Sequence, residues 1–253
     1  MMRRLAIALA VMGLAWPVEA EPKPEHPAQC RVAEHLVEAN FPLPHTAAAI
    51  AAKKLDVLVL GAGSSVLPIA HGDEVSYPAQ LRHALAEALP GVAVKVVTDV
   101  KARRTAAAMV KTLAPALAAA KPALVIWQTG TVDAMQGIDS DDFSDTLERG
   151  IGLAQEAGAD VVLVNSQYSP RTESMIALGA YQEVMRWVAL QHELPLFDRF
   201  SIMKLWADLG TFDLTTATNK LDMAEHVHAC IGRLLSDLVV EAAKPAGPKP
   251  DGR

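Results

Sequence analysis

Residues 55–65 read LDVLVLGAGSS: five apolar side chains and one aspartate, then a glycine-rich turn that ends on two serines. A short, almost continuously apolar run rich in valine, closed by glycine, has the form of a strand buried on both faces. The same form recurs down the chain. VAVKVV (92–97), ALVIWQ (123–128) and DVVLVN (160–165) repeat it, and PLF (195–197) is a shorter fifth candidate. Helical patterns separate the runs: YPAQLRHALAEAL (77–89), RRTAAAMVKTLAPALAAA (103–120), DDFSDTLERGIGLAQEAG (141–158) and SMIALGAYQEVMRWVALQHE (174–193), with a last helix expected over 220–242. Strand–helix alternation of this kind predicts an α/β fold, a parallel sheet with helices on both faces, whose ligands bind beyond the carboxyl ends of the strands.

The 253 residues are 51% apolar, 5% aromatic and 21% charged, with 15 glycines, two cysteines and a formal charge of −6. Such a chain can bury a sizeable core, and its composition excludes a disordered, collagen-like or disulfide-dense molecule. The acidic balance argues against nucleic-acid binding, which calls for clustered lysine and arginine. The start, MMRR followed by LAIALAVMGLAW and PVEA, has the charged, apolar and small-residue parts of a signal peptide, with cleavage expected after Ala20. The apolar part is short for a bilayer span, so no stable membrane insertion is expected after cleavage, and an uncleaved anchor is the alternative. Removing Arg3, Arg4 and Glu19 leaves 21 basic and 28 acidic residues. The expected location is the periplasm or the extracellular space. Two distant cysteines in an oxidising compartment predict a Cys30–Cys230 disulfide; two separate buried thiols are the alternative.

The division of the chain follows: a signal peptide over 1–20, a leader and helical segment over 21–54, one domain over 55–243 and a disordered tail over 244–253. Within the leader, CRVAEHLVEA (30–39) is expected to be helical, FPLPH (41–45) to break the helix, and TAAAIAAKK (46–54) to form a second. No linker interrupts residues 55–242.

The strand ends carry GAGSS (61–65), TDVKARRT (98–105), TGTVDAM (129–135), SQYSPRTES (166–174) and DRF (198–200). One reading of the first turn is a dinucleotide-binding GxGxxG with Asp99 as ribose partner, but its third glycine is replaced by Val66. Another is a serine nucleophile, for which helix capping is the plain alternative. The HVH at 226–228 makes a poor metal signal, because residues two apart lie about 200° apart on a helix. No metal or cofactor is expected. Arg103 and Arg104 read as a solvated helix start or as a hold for an anionic ligand.

Four blocks together resemble the SGNH (GDSL-type) hydrolase family. LVLGAGSS (58–65) stands in the place of its strand and Gly-Asp-Ser. SYPAQLRHAL (76–85) is similar to the helix that follows, KPALVIWQTGTVDAM (121–135) to its Gly-x-Asn-Asp block, and LDMAEHVHACIGRLL (221–235) to its final Asp-x-x-His block. The resemblance implies a three-layer α/β/α sandwich with a five-stranded, flavodoxin-like sheet of order 2-1-3-4-5. It implies a serine ester hydrolase, esterase- or lipase-like or a deacylase of envelope glycans, acting on a small-molecule or glycan ester. Ser64 or Ser65 would attack the carbonyl, His226 or His228 would take the proton, and Asp222 would orient the imidazole. Gly63, Gly130, Thr131 and Asp133 would line the oxyanion and substrate site.

Several positions depart from the family's pattern. Its nucleophile position falls on Gly63, and its oxyanion asparagine on Val132, which has no donor. Asp222 and His226 are four apart rather than three, whereas Glu225 and His228 have the spacing with the other acid. Aligned on the Ala-Cys pair at 229–230, the acid and histidine positions hold Asn219 and Asp222, and no base remains. The second implied reading is therefore a catalytically inactive member that binds an envelope glycan or protein.

Overall fold

The computed structural model describes residues 27–215 and 221–244. The signal peptide, its cleavage point, Asn219 and the tail beyond Lys244 lie outside the described residues. Five parallel strands, β1 (Lys54–Gly61), β2 (Ala93–Val100), β3 (Leu124–Gln128), β4 (Asp160–Val164) and β5 (Leu196–Phe197), form one sheet in the order β2-β1-β3-β4-β5. In register, Val57 faces Val96 on one side and Leu124 on the other, and Leu124 faces Asp160. This is the flavodoxin-like α/β/α order expected from the four sequence blocks.

The ten α-helices among the described residues are α1 (Pro44–Ala51), α2 (Gly72–Val75), α3 (Tyr77–Ala88), α4 (Ala106–Ala120), α5 (Thr131–Gln136), α6 (Ser140–Glu156), α7 (Pro170–Met175), α8 (Gly179–Gln191), α9 (Arg199–Asp208) and α10 (Leu221–Ala242). Alternate strand residues serve opposite layers, as pleating requires. Leu55, Val57, Val59, Ile126 and Val162 pack with α3, α9 and α10, whereas Leu58, Leu60, Trp127, Val161 and Leu163 pack with α4, α6 and α8. β3 and β4 are buried along their whole length, which is why their sequences show no alternation. None of these helices is long and apolar enough to cross a membrane.

Two contacts bind the layers. A Cβ at Gly232 of α10 would lie 2.5 Å from Gln80 Cβ and 2.8 Å from the Leu81 amide, so glycine there lets α10 and α3 approach backbone to backbone. At the opposite end of the sheet, Asp160 accepts the Thr46 amide at 2.7 Å and its hydroxyl at 2.8 Å, satisfying an orphan donor in the first turn of α1.

The expected helix over 30–39 is not formed. Residues Ala28–Cys30 and Glu34–Leu36 make two single 3-10 turns, and Val32, Leu36 and Val37 bury apolar surface along an irregular path. Cys30 is bonded to Cys230 in α10, with Cα atoms 5.0 Å apart, and Trp206 Nε1 donates to the Arg31 carbonyl at 3.3 Å, so tertiary ties override helix propensity here. The single helix expected over 174–193 is two, α7 and α8, parted where Ile176 turns extended and Leu178 enters the core. Helices α5 and α9 were not expected.

The disulfide closes a loop of 200 residues. A Cys30→Ser/Cys230→Ser double variant is expected to lose about 4–5 kcal/mol of unfolding free energy by the chain-entropy account, measured by denaturant titration; an unchanged midpoint would refute that role.

Candidate functional site

The turn after β1 is a 3-10 turn over Gly63–Ser65. Gly61 is required by what stands above it: a Cβ there would lie 2.1 Å from Ser65 Oγ. Gly63 is under no such constraint, since a Cβ would meet only Ala102, at 3.7 Å. The serine hydroxyls diverge in role. Ser65 is fully buried and donates to Gln128 Oε1 at 3.1 Å, whereas Ser64 is half-buried and its Oγ accepts from Gln128 Nε2 at 2.6 Å.

Gln128 is the last residue of β3, and the polarity of its amide is fixed by a third partner. Arg199, at the start of α9, donates from Nη1 to Gln128 Oε1 at 2.9 Å and to the Ser64 carbonyl at 3.0 Å. A guanidinium can only donate, so the atom facing it is the oxygen and the NH2 faces Ser64. Burial lowers the Arg199 pKa to about 10, with Tyr77 opposing the shift. The guanidinium carbon lies 5.6 Å from the centroid of the Tyr77 ring. Arg199 Nε has no hydrogen-bond partner among the described residues. Burial pushes the Tyr77 hydroxyl up to about 12, against the pull of Arg199.

His228 joins this cluster from α10. Its Nδ1 accepts the Tyr77 backbone amide at 2.9 Å, taking one of the orphan donors at the start of α3, where Ser76 provides no side-chain cap. A nitrogen that accepts an N–H carries no proton, so the neutral ring is protonated at Nε2. A triad base needs the reverse, Nδ1–H towards the acid and a free Nε2 lone pair towards the nucleophile. Burial, reinforced by Arg199, lowers the His228 pKa to about 3. His228 therefore caps a helix, and its Nδ1 is taken up by the Tyr77 amide. Asp222 and His226 lie exposed near the start of α10, and no hydrogen bond joins them among the described residues.

Of the expected oxyanion residues, Gly130, Thr131 and Asp133 stand at the turn between β3 and α5. Gly130 stands at φ +95° before α5. Asp133 is buried, with Oδ1 accepting the Ala106 amide at 2.9 Å and Oδ2 accepting the Thr129 hydroxyl at 3.3 Å. Burial raises its pKa; amides including those of Ala106 and Gly130 oppose the shift. Asp133 thus ties α5 to the start of α4, and the Gly130 amide faces its carboxylate. The Thr131 hydroxyl is unpartnered among the described residues. Asp99, the ribose candidate, is held by Arg104 through two hydrogen bonds of 2.8 and 2.9 Å. Hydrogen bonding from Arg104 is the largest influence on that carboxylate and, despite burial, keeps its pKa below the usual range. Arg104 is buried rather than solvated, whereas Arg103 is exposed.

Gln128, Arg199, Asn165 and Asp198 were not singled out from the sequence. The signal was available, since all four stand at or just after strand ends. Asp198 caps α9 through the Ser201 amide at 3.0 Å and accepts Asn165 Nδ2 at 2.7 Å and Arg186 at 3.1 Å. Burial alone would raise its pKa, but these donors outweigh it and the net shift is downward. No cluster of three or more metal-ligating side chains occurs among the described residues.

A model of the non-GDSL lipase-like family matches residues 29–245. No curated protein matches the chain. Among solved structures, TesA is similar at 22% identity and TM-score 0.55, over 72% of this chain and 99% of that one. The acetylxylan esterase Axe2 of Geobacillus stearothermophilus is similar at 14% identity and TM-score 0.58, over 73% and 94%. The esterase EstA of Pseudoalteromonas sp. is similar at 16% identity and TM-score 0.54, over 74% and 97%. At these identities the likeness is one of fold.

The low pKa of His228 has a sign that can be checked. The unfolded ring takes a proton near pH 6.5 and the folded one only near 3, so stability from this group is complete above 6.5 and falls as pH drops through that window. The slope is at most about 1.4 kcal/mol per pH unit. In acid-range denaturant titrations a His228→Asn variant, starting less stable, is expected to lose this slope; an unchanged slope would contradict the neutral, capping histidine.

Proposed function

Since the chain belongs to the non-GDSL lipase-like family, within the SGNH-type hydrolases, we propose that it is a ligand-binding member of that lineage, exported to the cell envelope, whose strand-top site holds a ligand at Ser64 without cleaving it. The observation that carries this reading is the direction of the hydrogen bonds at the serine pair. Attack by a serine requires a base that accepts its proton. Ser64 Oγ receives a hydrogen bond from Gln128 and its own proton has no base beside it among the described residues, while Ser65 gives its proton to the Gln128 oxygen already held by Arg199. Among the described residues no imidazole or carboxylate accepts from either hydroxyl. Gly63 and Val132 support the same reading, because they stand where the SGNH pattern has its nucleophile and its oxyanion amide. The Cys30–Cys230 bridge favours an oxidising compartment, periplasmic or extracellular.

A second reading is favoured by kinship of fold with esterases and by the half-exposed Ser64 hydroxyl at the carboxyl end of β1. In it the protein hydrolyses a small or glycan-borne ester, with Ser64 or Ser65 as nucleophile, His226 as base and Asp222 as orienting acid.

The two readings part on one experiment. The purified protein is treated with a fluorophosphonate probe and with short-chain nitrophenyl esters, beside a Ser64→Ala/Ser65→Ala variant. The binding reading expects neither adduct nor hydrolysis above the variant's level. Labelling of the native protein that vanishes in the variant would establish the esterase instead.

A further inference from the structure

Arg199 is a buried cation with no anion beside it among the described residues. It is 1% exposed, and no carboxylate lies within ion-pair distance of it among the described residues. The stretch 216–220, TATNK, contains no acid. Its neighbour Asp198 is taken by Arg186, and its own hydrogen bonds go to two neutral acceptors. Removing a guanidinium from water costs several kcal/mol unless charge or hydrogen bonding compensates.

A chain of hydrogen bonds leads from this charge to the turn after β1. Arg199 donates to Gln128 Oε1, and Gln128 Nε2 donates to Ser64 Oγ. Aligned in one direction, such bonds polarise one another. The last member is the Ser64 hydroxyl, whose oxygen is occupied as an acceptor and whose proton is left to be given outward. Arg199 and Gln128 are sealed from solvent, and Ser64 is not, so the chain of bonds reaches solvent there.

The rim has the same sign. Ala102 borders the Gly63 turn, and both its flanking residues, Lys101 and Arg103, are exposed. Arg103 has no ion-pair partner among the described residues. Lys101 reaches Asp99 only at 3.9 Å, and that carboxylate is already held by Arg104 at 2.8 Å. In a chain of net charge −6, two exposed cations thus flank the residue that borders the Ser64 turn.

We propose that the turn after β1 is a subsite for a carboxylate carried by a ligand, with the Ser64 hydroxyl as donor and the exposed Lys101 and Arg103 as its charged partners. The assignment rests on the non-hydrolytic reading of the site and gives it a ligand class. A carboxylate brings the single negative charge that Arg199 lacks, and it accepts from Ser64 without any transfer of a proton.

Calorimetric titration of the full chain tests it, with oligogalacturonate as the carboxylate-bearing probe, a maltooligosaccharide of equal length as its neutral counterpart, and inorganic phosphate as the alternative anion. Expected are binding of oligogalacturonate that weakens with salt, no binding of the neutral sugar, and a loss of about tenfold in both Ser64→Ala and Lys101→Ala/Arg103→Ala, the scale of one charge-assisted hydrogen bond. Both variants change surface or half-buried groups, and retained thermal unfolding midpoints would verify their folding. Absence of oligogalacturonate binding, equal binding of the neutral sugar, or affinity unchanged in both variants would overturn the proposal. Phosphate binding as tightly at the same residues would overturn the choice of carboxylate. A fluorophosphonate adduct on Ser64 would instead sink the non-hydrolytic reading, and the titrations would still report on the carboxylate subsite.

Discussion

The guanidinium of Arg199 organises the carboxyl end of the sheet. It is fully enclosed, it holds the Ser64 carbonyl, and by holding Gln128 Oε1 it decides which way that amide points. Both serine hydroxyls then take their orientation from Gln128. One cation thus fixes the hydrogen-bond sense of elements from β1, β3 and α9, three segments far apart in sequence. Removing it would take away two hydrogen bonds, leaving the Gln128 oxygen with Ser65 as its donor and the Ser64 carbonyl without the guanidinium.

The other face of the same cluster belongs to the α3–α10 pair. His228 gives up its Nδ1 lone pair to the Tyr77 amide, and Gly232, one turn further on, lets the two helices come together at Gln80 and Leu81. The histidine that looked most like a base by spacing is committed to helix capping. The other pair read from the sequence, Asp222 and His226, is exposed. Packing and chemistry compete for the same side chains here, and packing has taken them.

Much of the fold was legible because buried parallel strands have an unambiguous form. LDVLVLG and ALVIWQ are too apolar and too short to be anything else in an α/β chain, and the glycine-rich turn located the carboxyl edge. Segments whose path is set by distant partners were not legible. The stretch 30–39 has a helical pattern, yet the bond from Cys30 to α10 and the contact of Arg31 with Trp206 hold it in turns. The hydrogen bonds at the strand ends were not legible. Ser64, Ser65 and Gly130 could be singled out from their position after strands. The direction of a hydrogen bond depends on which atom of Gln128 faces Arg199, and no linear pattern encodes that.

The link between Cys30 and Cys230 also has a bearing on the order of events as the chain is made. Synthesis proceeds from the amino end, and Cys230 lies in the last helix, 200 residues behind its partner. Through almost the whole of elongation Cys30 has no mate. By the time the bond can close, every strand of the sheet has already been delivered. The bridge can therefore close only on a chain whose five strands have all been made, and it joins the irregular segment ahead of α1 to the helix α10 across the whole span of the sheet.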